Sequence, residues 1–377
     1  MVGAAYIHIP FCEHICHYCD FNKVFLKGQP VNEYLDSLAK EMELTLRNSQ
    51  TRMLKSIFVG GGTPTALNEQ QLEKLCLIIK ERLPYKAETE FTFEANPGDL
   101  SDEKLRILFD AGVNRISFGV QTFNDELLKK IGRVHRAADV FHSIEAAKKI
   151  GFENISIDLI YSLPGQTVTD FKKTLETSFS LNIQHYSGYS LIIEPKTVFY
   201  NLMNKGKLPL PSEDTEAEMY KILMEEMAKQ GFKQYEISNF SKSGFESKHN
   251  LTYWNNESYY GFGAGAHCYL DGFRNSNHGP LKKYMEALHT GVLPIVHKHQ
   301  VTRAEKIEEE MFLGLRKTAG VSIAGFVEKF AENPVELFKN ELNTLIGRNL
   351  ITVTEENIQL TEKGHMLGNE VFQMFLK

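Results

Sequence analysis

The sequence predicts an α/β fold: a partial, TIM-like (β/α)6 barrel followed by a smaller α+β module. Three observations carry that reading. From Ala4 to about Ile193 the chain repeats one unit six times, an apolar β-rich run, a loop and an amphipathic helix. The runs are close to continuously apolar, as parallel strands covered on both faces are. No dinucleotide-type glycine fingerprint follows the first run, so six right-handed units favour a barrel over an open doubly wound sheet.

The expected strands are 5–9, 56–59, 90–94, 115–120, 155–160 and 186–193. The expected helices are about 31–48, 68–83, 102–111, 138–150 and 168–180. Asn68 with Gln71 three residues on reads as a capping box, and Thr167 with Asp170 as a weaker one. Gly112, Gly151 and Gly231 each follow a helical pattern, where the left-handed conformation that closes the last turn is needed.

Ligand sites in parallel α/β folds lie at the carboxyl ends of the strands, and the polar motifs of this chain fall there. The second strand runs into Gly60-Gly61-Gly62-Thr63-Pro64-Thr65, where the absence of side chains lets the backbone approach a ligand. A tight structural turn is the alternative reading. Glu94 ends the third strand and Gln121 the fourth, and Asp158 interrupts the apolar fifth. Arg133 follows a short helix, as a fork-shaped donor for a carboxylate. Each alone reads equally well as a capped or paired structural residue; together they mark one layer.

The chemistry concentrates after the first strand, where Cys12, Cys16 and Cys19 are spaced C-x3-C-x2-C. Three thiolates on one loop suit three irons of a cubic [4Fe–4S] cluster and leave the fourth iron open to another ligand. Zinc is the main competing reading, with His8, His14 or His17 as the fourth ligand, and redox or chance clustering of the thiols is the other.

Cys12-x3-Cys16-x2-Cys19, with Tyr18 before the last cysteine, is similar to the signature of the radical S-adenosylmethionine superfamily. Residues 60–65, Glu94, Gln121, Arg133 and Asp158 resemble the further motifs of its coproporphyrinogen dehydrogenase branch, in order and spacing as well as letters. The resemblance implies a [4Fe–4S] cluster on Cys12, Cys16 and Cys19, its open iron chelated by S-adenosylmethionine. It implies that Tyr6, Tyr18, Gly61, Gly62, Thr63 and Glu94 help to hold that molecule, and that Gln121, Arg133 and Asp158 contact one copy or a second.

Two departures from the oxidase of that branch matter. Phe21 stands where the oxidase carries a further cysteine, and only eleven residues precede Cys12. In addition, His249-Asn250-Leu251-Thr252-Tyr253-Trp254 resembles the haem-binding signature of the branch's HemW-type haem chaperones. An imidazole is a common axial haem ligand and flat aromatics suit a porphyrin face. The resemblance therefore implies haem bound through His249 and passed to an acceptor haemoprotein. Its alternative is an enzyme, an oxygen-independent coproporphyrinogen III oxidase. Taken without the resemblance, His249 reads as a structural histidine.

The expected organisation is a barrel core over 1–195, a barrel extension with the haem-signature segment over 196–298, and a winged-helix-like module over 299–377. In the extension Ser212 caps a helix over about 213–230, 235–239 reads as a strand, and His267 lies near the S-adenosylmethionine site by resemblance. In the module Val335, Phe338, Leu342, Leu345 and Ile346 mark one helix face, and 350–353 and 358–360 form a hairpin before a last helix. Residues 301–377 hold 9 Lys and Arg against 12 Asp and Glu, net −3. That lacks the basic stripe a phosphate-tracking surface needs, so a lid or a protein-docking face is expected rather than a nucleic-acid reader.

Whole-chain composition agrees. Forty-two basic against 48 acidic residues give net −6, which excludes a general nucleic-acid binder. No apolar run is long enough to span a bilayer, so membrane contact would be peripheral, through an acceptor. The N-terminus shows no signal-peptide pattern. Only Cys76 and Cys268 lie outside the loop, too few for a disulfide framework, which predicts a reducing cytoplasm.

Overall fold

The computed structural model describes residues 2–47 and 53–376. Six parallel strands, Ala4–Ile9, Ser56–Gly61, Glu90–Ala95, Arg115–Gln121, Asn154–Tyr161 and His185–Ser190, lie side by side in chain order. Each is followed by helices that cover its outer face, as the repeated unit requires. Both expected capping boxes are formed, Asn68 with Gln71 and Thr167 with Asp170. Gly112, Gly151 and Gly231 take φ of +89°, +120° and +80°, the region where glycine alone is unstrained.

The segment after the sixth strand extends the sheet at both edges, to twelve strands. Tyr259–Phe262 adds in parallel beside the first strand, and His267–Leu270, Phe273–Asn277 and Ile295–Gln300 continue antiparallel from it. At the other edge Asn239–Ser241 pairs antiparallel with the sixth strand. The barrel is therefore partial, with an arc of parallel strands at its centre.

Residues 301–376 carry their own apolar core around Met311, Phe326, Phe338, Leu345 and Phe375. Helices there pack on a three-stranded sheet of Val321–Ser322, Asn357–Leu360 and Ile351–Val353, a winged-helix-like α+β arrangement. Several expected boundaries shift. The first helix ends at Leu46, and the expected last residue, Asn48, lies outside the described residues. The sixth strand stops at Ser190. Residues 235–239 are not one strand but the corner of a hairpin, Lys233–Glu236 against Asn239–Ser241. The helix expected through Val335 and Ile346 breaks at Phe338, whose ring is held edge-on to Phe375 at 5.2 Å, and Ile346 is exposed.

The inner face of the arc positions the site. TIM-type barrels normally fill their interior with branched apolar residues. Here the outward positions, Ile7, Val59, Phe93, Ile116 and Ile157, join the main apolar core with the helices. Their alternates, Tyr6, His8, Thr92, Glu94, Arg115, Ser117, Ser156, Asp158, His185 and Ser187, line a polar lumen. Period-two alternation puts one polar set inside and one apolar set out.

Candidate cofactor site

The carboxyl ends of the strands open into a cleft lined by Cys12, Cys16, Tyr18, Cys19, Gly61, Gly62, Thr63, Glu94, Gln121, Arg133 and Asp158. Eleven of the thirteen candidate residues thus share one wall system. The cysteine loop is fastened at three points. His8 Nε2 lies 2.7 Å from the Asn22 carbonyl, His17 Nδ1 lies 2.9 Å from the Lys130 carbonyl, and Lys23 Nζ donates to the Cys19 carbonyl. Two of the three histidines considered as zinc ligands are therefore committed to holding the loop. Among the described residues no three His, Cys, Asp or Glu side chains converge as a single ion requires. A cube takes each thiolate on a separate iron.

The sulfurs face donors. Thr63 Oγ1 lies 3.6 Å from Cys12 Sγ and Arg133 Nη1 lies 3.3 Å from Cys16 Sγ. Burial pushes the Cys12 thiol up to about 11 and raises Cys19, so ligation must displace their protons. Arg133 also donates to the Gly119 carbonyl. A Cβ at Gly119 would stand 2.6 Å from Arg133 Nη2, which explains the glycine.

The triple glycine is required by contact rather than by turn geometry alone. A Cβ at Gly60 would stand 2.5 Å from Glu94 Oε2, one at Gly62 would stand 2.7 Å from the Phe11 carbonyl oxygen, and one at Gly61 would enter the His8 ring. Gly61 also holds φ +112° and its N–H donates to Glu94 Oε2 at 3.0 Å. Burial, then the neighbouring Asp158, pushes the Glu94 carboxyl up to about 7, while the Gly61 N–H and Arg115 oppose them. Burial likewise raises Asp158, which accepts from Ser117 Oγ at 3.3 Å. Gln121 sits at φ +67° where the register to the fifth strand shifts, which turns it to the cleft.

Sequence reasoning missed Asn96, Ser117 and Gly119 as cleft residues. Asn96 bridges Thr63 Oγ1 at 3.1 Å and Asp99 Oδ2 at 3.0 Å. Alternation was the available signal for the other two, since Ser117 and Gly119 share strand parity with Gln121.

Two candidates lie elsewhere. Tyr6 sits below the cleft with its hydroxyl 2.9 Å from His8 Nδ1. His249 is at the other end of the lumen, on the helix Lys248–Trp254. The Glu90 carboxylate, at the start of the third strand, accepts from the N–H groups of Lys248 at 2.9 Å and His249 at 3.0 Å, so this helix crosses the amino ends of the strands. His249 is 1 % exposed, with Nδ1 3.1 Å from Ser56 Oγ and Nε2 2.8 Å from Tyr253 Oη. Burial, then Arg115, lowers it to about 3, so it is neutral. Beyond it a second cleft, lined by Tyr253, Trp254, Tyr259, Arg274, Phe312 and Leu313, separates this helix from the C-terminal module. Arg316 of that module stacks over Trp254 at 4.7 Å. His267 lines neither cleft.

A glycine-cradled carboxylate, three thiols and a guanidinium gathered at barrel strand ends define a radical S-adenosylmethionine protein. The chain matches the Radical SAM superfamily over residues 6–177 and the HemN C-terminal domain over 301–367. It belongs to the family of the heme chaperone HemW. The protein of that name from Bacillus subtilis (strain 168) is 58 % identical over 99 % of both chains. That of Lactococcus lactis is 50 % identical over 99 % of this chain and 97 % of its own, and that of Escherichia coli (strain K12) 32 % over 98 % and 97 %. Among solved structures, the coproporphyrinogen III oxidase HemN of Escherichia coli, a radical SAM enzyme, superposes with a TM-score of 0.85. It is 25 % identical, over 99 % of this chain and 90 % of that one. Membership implies a [4Fe–4S] cluster and S-adenosylmethionine, and the donor set fits both. Among the described residues no helix is long and apolar enough to cross a membrane.

Proposed function

We propose that this chain is a cytoplasmic haem chaperone. It holds [4Fe–4S] on Cys12, Cys16 and Cys19 with S-adenosylmethionine at the open iron, binds haem at the helix carrying His249, and passes it to an acceptor haemoprotein. The reading rests on one conjunction: full-length membership of the HemW family together with the intact His249, Tyr253 and Trp254 set beside an aromatic cleft.

The chain's own residues have distinct tasks in it. Gly60, Gly61 and Gly62 let the cofactor approach the backbone, and Glu94 meets its positive charge. Thr63 and Arg133 direct donors at two of the cluster sulfurs, which stabilises negative charge there. A reduced cluster held by these cysteines would supply the one electron for reductive cleavage of the sulfonium, chemistry that belongs to the cofactor. At the other end, the cleft between Tyr253, Tyr259 and Phe312 offers flat apolar walls to a macrocycle. His249 reaches an iron only if its bond to Tyr253 is released, so haem loading includes a rotation of one of these two side chains, which lie one turn apart on the same helix.

A second reading, oxygen-independent coproporphyrinogen III oxidase, is favoured by the full-length superposition on HemN. One anaerobic preparation separates the two. Given S-adenosylmethionine, a reductant and coproporphyrinogen III, the chaperone yields no vinyl product and binds haem stoichiometrically. Vinyl product would establish the enzyme, and zinc without iron in the same preparation would overturn both.

A further inference from the structure

The lumen below the cofactor cleft contains a guanidinium with no obvious structural task. Arg115 is 2 % exposed, and its Nε has no hydrogen-bond partner among the described residues. The hydroxyl of Thr92, its neighbour in register on the third strand, is likewise buried without a partner. A buried arginine that serves as a clamp makes bidentate bonds; this one is held in place by its strand, and what it supplies is charge.

Register fixes where that charge acts. Arg115 lies beside Thr92, Ser117 beside Glu94, and Gly119 beside Asp158. One step along the inner face therefore separates the guanidinium from the layer of the two carboxylates. Two neighbouring carboxylates held in this layer do not both stay ionised without a counter-charge. Glu94 is also faced by Asp158 from the fifth strand, the Gly61 N–H from the second, Tyr6 from the first and Tyr253 from the helix. Among the groups acting on Glu94 only Arg115 is a cation; the other guanidinium near the pair, Arg133, acts on Asp158.

We propose that Arg115 is a positioning residue for the cofactor: its buried guanidinium supplies the counter-charge that lets Glu94 meet a cationic ligand as a carboxylate. Its ligand class is a molecule carrying ammonium or sulfonium charge. The inference rests on the S-adenosylmethionine reading above. It adds a residue that no motif marks and that touches neither cluster nor cofactor. Burial raises Glu94 while Arg115 pulls the other way, as this role requires.

The test is equilibrium dialysis of labelled S-adenosylmethionine against the anaerobically reconstituted full chain, from about pH 6 to about pH 9. Wild type should lose affinity as pH falls through about 7, and Glu94→Gln should flatten that dependence. Arg115→Gln should move the midpoint upward by about one unit, so that affinity at neutral pH drops about fivefold while the two proteins converge at the alkaline end. Arg115→Lys should restore the wild-type midpoint. Arg115→Met exchanges the charge for apolar volume and repeats the comparison if the glutamine variant does not fold. An equal loss at every pH, an unmoved midpoint, or folding by the lysine variant alone would make Arg115 structural and overturn the inference. Absence of binding by wild type would instead sink the cofactor reading, and this inference with it.

Discussion

His249 donates to or accepts from Tyr253 across one helical turn, Nε2 to Oη at 2.8 Å, and that bond closes the nitrogen an iron would need. The other ring nitrogen is engaged by Ser56 at 3.1 Å. The two substitutions at this pair therefore have opposite signs for haem. Tyr253→Phe costs about 1 kcal/mol of stability yet frees Nε2, so haem association should quicken. His249→Ala leaves the Ser56 and Tyr253 hydroxyls without their imidazole partner, costs about 1–3 kcal/mol, and should abolish the spectrum of histidine-ligated haem. Stopped-flow haem binding reads both, and slower association in Tyr253→Phe would contradict the gating role of the bond.

Gly61 should tolerate no side chain. Its φ of +112° costs a non-glycine residue about 1–3 kcal/mol, and the new Cβ enters the His8 ring that fastens the cysteine loop at Asn22. Gly61→Ala should lower the melting temperature and reduce iron retained after anaerobic reconstitution. A variant with wild-type iron content would show that the glycine serves only the turn.

Stability should fall as pH rises through neutrality, in part because of Glu41. This buried carboxylate accepts from the Gly263 N–H at 2.7 Å, Asn277 Nδ2 at 2.5 Å and Tyr284 Oη at 2.6 Å, yet burial still pushes it up to about 7. The folded state binds the proton more tightly than the unfolded one, so the contribution is complete below about pH 4.5 and lost as pH rises through about 7. A shift of that size corresponds to about 3 kcal/mol. Denaturant midpoints of Glu41→Gln should vary less with pH across this window than those of wild type; parallel profiles would refute the assignment.

Docking of the C-terminal module should depend on Arg316, whose guanidinium lies 4.7 Å from the Trp254 ring and 5.0 Å from that of Phe372. Each buried cation–π contact is worth about 1–2 kcal/mol. Arg316→Ala should increase hydrogen exchange in the helix Lys248–Trp254 while leaving the cysteine loop unaffected. Equal protection in both proteins would show that the module does not hold that helix.

What could be read in advance follows from where local chemistry dominates. The six strands, the capping boxes and the cysteine loop are each specified by neighbours in sequence, and they appear within a few residues of their expected bounds. The lumen was harder. Arg115 and Ser117 sit in a run read as apolar; alternation with Gln121 puts them on the inner face, and cross-strand register adds that Ser117 lies beside Glu94 and Arg115 beside Thr92. The twist of Gln121 to φ +67° comes from a bulge that depends on the fifth strand. The helix is interrupted at Phe338, whose ring packs edge-on against Phe375, far along the chain. The placement of His249 at the opposite end of the barrel from the cysteines is likewise a consequence of Glu90 capping its helix, a contact across 159 positions.

That separation of two sites along one lumen is tested most directly by counting iron and haem in two variants of the full chain purified anaerobically. Cys12→Ser should lose the iron–sulfur absorbance and still bind one haem, and His249→Ala should keep the iron and lose the haem. Loss of both groups in either variant would mean one shared site, and would contradict the account.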